Sequence, residues 1–143
     1  MAAAALLLSL LAACAAEAPA PASQPPADGL QAVAGRAPLL GGLMRAALAC
    51  GLSVSMPAQD RAAAIEAAAL AYHQREGGPP ARDAYLRSLQ PPAFDPRLGG
   101  RDRGAWCARQ GTDMARVLAW LEGAEGADYA ARAEAAAAAA AGR

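Results

Sequence analysis

The chain has 143 residues and no internal repeat, which leaves room for one small domain once a targeting segment is set aside. Its 13 basic and 13 acidic side chains cancel to a formal net charge of zero, so no excess of positive charge draws it to nucleic acid or another polyanion. Every basic residue is arginine, asparagine is absent, and Ile65 and Phe94 are single residues of their kinds, a usage that a GC-rich genome explains without selection.

The opening "MAAAALLLSLLAAC" holds an apolar run of about 12 residues, long enough for a signal-peptide core and short of the roughly 20 that cross a bilayer. Leu11-Ala12-Ala13-Cys14 resembles the lipobox of bacterial lipoproteins, an aliphatic residue and two small ones before a cysteine. The resemblance implies that Cys14 becomes the lipidated N-terminus, each buried methylene adding about 0.8 kcal/mol of anchoring. It also implies a cell-envelope location, with Ala15 after the cysteine favouring the outer membrane facing the periplasm. Two other readings stay open: cleavage after Ala15 or Ala16 to release a soluble secreted protein, and a cytosolic protein. Residues 15–29, "AAEAPAPASQPPADG", alternate proline with small residues, which favours polyproline II and offers nothing to bury, so they read as a disordered tether of roughly 40 Å.

Folded structure is expected from Leu30. The first clear helix is residues 37–51, where Leu39, Leu40, Leu43, Met44, Ala47, Leu48 and Cys50 recur at helical spacing, with Pro38 early and Gly51 as a C-terminal cap. A second opens on Ser55 and Pro57, buries Ala62, Ile65, Ala69 and Tyr72, and stops at Gly77-Gly78. A short third, bracketed by prolines, shows Tyr85, Leu86 and Leu89. After "PPAFDPRLGG" a fourth places Cys107, Met114, Leu118 and Leu121 on one stripe beside Trp106 and Val117, with Asp102 as its expected N-cap. The tail from residue 124 has high helix propensity but no face wider than alanine, so it is expected to be helical or disordered without firm docking. No stretch alternates with the period of a strand. The fold class is therefore all-α: signal peptide 1–13, tether 14–29, a bundle of about four helices over 30–123, and the alanine tail 124–143.

Removing Cys14 from the cysteine count leaves an even pair, Cys50 and Cys107, which in an exported chain predicts a disulfide. Closing a loop of about 60 residues stabilises by about 4 kcal/mol in the chain-entropy model, a large share of what a small domain has. In a reducing compartment the same residues would be two buried thiols.

Catalytic motifs are few. "GLSVS", Gly51–Ser55, is one residue short of a nucleophile elbow and follows a helix where that elbow needs a strand. His73, the single histidine, and Glu76 form a two-ligand pair where zinc needs at least three, so a solvent-facing polar pair is the plainer reading. No Gly-rich phosphate loop or C-x-x-C-H motif occurs, and no cofactor, metal or enzymatic activity is expected. Trp106 and Trp120, with Met44 and Met114, read as core or as the lining of a pocket between helices.

Arg97, Arg101, Arg103 and Arg109, interrupted by Asp95 and Asp102, gather before and along the start of the last long helix. There they suit a phosphate, lipid headgroup or cell-wall carboxylate, or simply form a solvated, salt-bridged face. The expected function is that of a membrane-anchored envelope lipoprotein acting as a binding or structural module. Its partners would be the membrane, through lipid on Cys14, and an envelope protein or anionic envelope component, with no nucleic acid. The alternative is a periplasmic small-ligand carrier or a disulfide-stapled helical protein with a general likeness to small acid-stress chaperones.

Overall fold

The computed structural model describes residues 29–142, so Cys14, the lipobox-like segment and the tether before Gly29 lie outside it. The described residues form an all-α bundle without strands: α1 Gly29–Ala49, α2 Met56–Ser88, a 3-10 turn Pro96–Leu98, α3 Arg101–Glu122 and α4 Ala124–Ala141. The four-helix class matches the sequence reading, but the chain is divided differently.

Helix α1 starts about two turns before Ala37, because the buried stripe of Leu40 and Met44 extends back through Ala37, Ala34, Val33 and Leu30. Pro38 is an interior residue of this helix and not an early one. It is exposed, and the helix bears the missing N–H because the buried stripe continues on both sides of it. Helix α2 is capped by Ser55, whose Oγ accepts the Ala58 N–H at 3.4 Å. It bends at Gly78, where φ 65° and ψ −160° describe a conformation open essentially to glycine alone. The two arms of α2 are thus the second and third helices expected from sequence, broken where Gly77-Gly78-Pro79-Pro80 had to break them.

The N-cap of α3 is Gly100 in the left-handed region, and Asp102 stands inside the first turn instead of capping it. The chain reaches Gly100 through two consecutive left-handed glycines, and this turn chemistry sets the start. At the other end Arg61 of α2 donates to the carbonyls of Leu121 and Gly123, the latter at 3.1 Å, so a guanidinium satisfies the exposed end of the helix and its negative pole.

The tail is corrected most. Helix α4 packs against α2 and α1, and Tyr129, Ala130, Ala133 and Ala136 are buried, Ala133 completely. Alanine suffices because the surface it meets is also small: Ala68 and Ala69 of α2 are fully buried, and Gly29 lies against Ala136. Gly126 allows the sharp α3–α4 turn, since a Cβ there would lie 2.7 Å from the Leu121 Cα and run into the Trp120 carbonyl.

Two core clusters result. The larger gathers Leu30, Ile65, Leu89, Leu121 and Tyr129 with the alanines of α1, α2 and α4; the smaller holds Leu43, Ala46, Ala47 and Met114 between α1 and α3.

Candidate binding surface

Cys50 and Cys107 form a disulfide with Cα atoms 5.7 Å apart and a sequence separation of 57 residues. The bridge ties the chain just beyond α1 to the second turn of α3, and both cysteines are half-buried. Neither lies deep on an apolar stripe. They border an open cleft of about 440 Å³ with Leu48, Gly51 and Arg103 along its edge.

The four arginines do not converge. Arg97, Arg101, Arg103 and Arg109 are all exposed. Arg101, Arg103 and Arg109 point to different sides of α3, because a helix turns by about 100° per residue. The start of α3 is also taken by the chain's own carboxylate: Asp102 Oδ1 accepts the Arg103 N–H at 2.8 Å and its Oδ2 accepts the Asp95 N–H at 2.7 Å. Negative charge at this positive helix end is supplied from within the sequence. Only Arg103 borders the two clefts on either side of this turn.

His73 and Glu76 separate as well. Glu76 pairs with Arg75 at 2.7 Å, while the His73 ring stacks on Tyr85 with centroids 4.7 Å apart. This contact crosses the bend of α2, so the imidazole closes the elbow between its arms. His73 Nε2 and the Tyr85 hydroxyl are both buried with no hydrogen-bond partner among the described residues. Burial, and then the nearby Glu66 carboxylate, push the Tyr85 phenol up to about 12 against the opposing pull of Arg45. Arg45 and Glu66 form a forked pair with both N···O distances 2.7 Å, joining α1 to α2 beside this elbow. No local pattern marks that pair, since 21 residues separate its members.

Met44 and Met114 belong to different core clusters and make no shared soft site. Trp106 packs edge-on to Phe94, and Trp120 edge-on to Tyr129, both at 5.5 Å between centroids. Gly51–Ser55 is the α1–α2 connection, as its spacing implied. Among the described residues no group of three or more His, Cys, Asp and Glu could hold a metal ion, and no helix is long and apolar enough to cross a membrane.

The feature that sequence reasoning missed is apolar exposure. Leu39, Leu48, Leu52 and Met56 are 64%, 57%, 42% and 66% exposed. Three of them fall within nine residues around the α1–α2 corner, beside the bridge. Periodicity marked Leu39 and Leu48 as core because both fit the α1 stripe when the helix is started at Ala37. Starting it at Gly29 shows the buried face to be centred elsewhere.

Comparison with known proteins finds no matching family model, no matching curated protein and no matching solved structure.

Proposed function

We propose that this chain is an exported, disulfide-stapled helical protein that works by binding apolar surface, in the manner of a small chaperone or adaptor, and not by catalysis. The observation that supports this best is where the large apolar side chains sit. Eight of the 17 buried residues of the larger core are alanine, while Leu39, Leu48, Leu52 and Met56 are left in water. Exposed apolar groups close together on a small domain mark surfaces that a partner covers. The bridge supports an oxidising compartment, since such bonds seldom persist in a reducing cytosol. A small-ligand carrier has less support, as the clefts beside the bridge and beside Trp120 are open.

The test is suppression of light scattering by a thermally unfolding client enzyme. The oxidised full chain should suppress it near equimolar ratio, and Leu48→Asp/Leu52→Asp/Met56→Asp should lose the effect. No suppression, or equal suppression by the triple variant, overturns the reading.

A lipid anchor at Cys14 is a second reading, favoured because the bridge uses the other two of the three cysteines. The anionic envelope component weakens as a partner, because the arginines are scattered. The intact mass of unreduced protein taken from membranes would carry acyl mass on Cys14 and the two-hydrogen deficit of the bridge. An unmodified Met1 with three free thiols would remove both the anchor and the export.

A further inference from the structure

A furrow runs along the surface between α1 and α3. The bridge joins the end of α1 to the beginning of α3, and Trp120 near the end of α3 lies against Arg36, Leu39 and Leu40, so the two helices are antiparallel. Toward the bridge, the furrow continues past Leu39, Gly42 and Leu43 to Trp106. Its two parts, about 270 and 220 Å³, share Leu39, which is 64% exposed. Gly42 keeps the floor low, since a Cβ there would meet nothing within 4 Å. The furrow thus has an indole at each end and a leucine between them, and at the Trp106 end the chain Ser88–Pro91 leaving α2 adds a further wall. Arg36 at its rim makes no ion pair among the described residues and rests over the Tyr129 ring at 5.8 Å.

Aromatic-walled, shallow grooves suit extended proline-rich chain, which enters them already stiffened. Such a segment stands next to α1 in the sequence. Residues 15–28, "AAEAPAPASQPPAD", immediately precede α1 and contain Pro19, Pro21, Pro25 and Pro26, with Glu17 and Asp28 as their only charges, opposite in sign to Arg36. From Gly29 to Leu39 the helix rises about 15 Å. A polyproline II chain covers that in about five residues at 3.1 Å each, so Pro21–Pro26 reach Leu39 and Trp120 with chain to spare. Attachment to α1 gives the segment an effective concentration on the order of millimolar, enough for weak contacts to hold it.

We propose that the α1–α3 furrow is a docking site for the chain's own proline-rich segment 15–28, laid antiparallel to α1 across Leu39 and Trp120. Docked, the segment shortens the distance between residue 14 and the bundle. A proline-rich partner that takes the furrow instead releases it. The proposal rests on neither export nor lipidation.

Paramagnetic broadening tests it in the full chain carrying Cys14→Ser and Ser23→Cys, with a nitroxide on the new thiol and ¹⁵N-labelled tryptophan. The Trp120 indole N–H signal should fall to less than half its diamagnetic intensity. It should recover when Leu39→Asp is added, and again when Pro19, Pro21, Pro25 and Pro26 are all replaced by alanine. The four prolines precede the first described residue, Gly29, and a melting curve equal to that of the parent chain checks that the bundle is unchanged. Absent broadening, or broadening unchanged by both variants, overturns the proposal. Broadening of equal size when the nitroxide and the ¹⁵N label sit on separate, mixed chains would assign the furrow to a second copy and overturn it as well.

Discussion

In the larger core, Ala68, Ala69, Ala133 and Ala136 bring α2 and α4 close together around Ile65, Leu89 and Leu121, whereas the smaller core between α1 and α3 has only Leu43 and Met114 as buried long side chains, with Trp106, Val117 and Leu118 half-buried against them. Close approach of small residues gives dense contact over a long helix face, and dispersion sums over many atoms. The α1–α3 side has no such face: α3 buries only Met114 and Leu121, and Leu121 belongs to the larger core. The covalent bond stands on the side where burial is least. A chain this rich in alanine reaches a stable bundle by packing on one side and by restricting the unfolded chain on the other.

Breaking the bridge is the severest test of that contrast. Cys50→Ser/Cys107→Ser should cost about 4 kcal/mol in urea unfolding. Hydrogen exchange in the variant should lose protection at Ala46 and Met114 before Ala69 and Ala133. Uniform loss of protection would mean that the two sides are one unit. Next in size, Leu121→Ala removes a fully buried side chain and should cost about 3 kcal/mol by the same measurement. At the turn that lets α4 dock, Gly126→Ala drives a methyl into the Leu121 backbone and should cost about 2 kcal/mol, seen as a lower Tm.

Tyr85→Phe has a smaller effect and the opposite sign. It removes a buried hydroxyl without a hydrogen-bond partner, so stability at neutral pH should rise by about 1 kcal/mol. Its alkaline limb is also informative. The phenol titrates near 10.0 when unfolded and at about 12 when folded. The unfolded chain therefore releases this proton first, and stability falls as pH rises from 10 to about 12. The phenylalanine variant should lack that part of the fall. Smallest of all, Arg97→Ala, Arg101→Ala and Arg109→Ala should each shift stability by less than about 0.5 kcal/mol, because the side chains are exposed and have no carboxylate partner among the described residues.

Much of the bundle was legible. Ser55 as a cap, the break at Gly78 and the stripe of α3 are local features, and the cysteine pairing followed from counting. Two readings went astray where a local rule met a tertiary contact. Pro38 reads as a helix start, yet Leu30 and Val33 bury themselves and carry the helix past it. The tail reads as undocked because alanine has a weak hydrophobic signal, but it meets another alanine surface. The arginines stand in solvent as a solvated face would have them, and the turn of α3 itself sets Arg101, Arg103 and Arg109 on different sides.

Composition and periodicity by themselves determined the helical class, the break in α2 and the bridge, because propensity, glycine conformation and cysteine parity act within short stretches or by count. Only the tertiary structure decided that α4 belongs to the core, that Arg45 pairs with Glu66, and that Leu39, Leu48, Leu52 and Met56 face water. Those outcomes depend on which faces of distant helices meet, and a periodic pattern specifies a face without saying what will cover it.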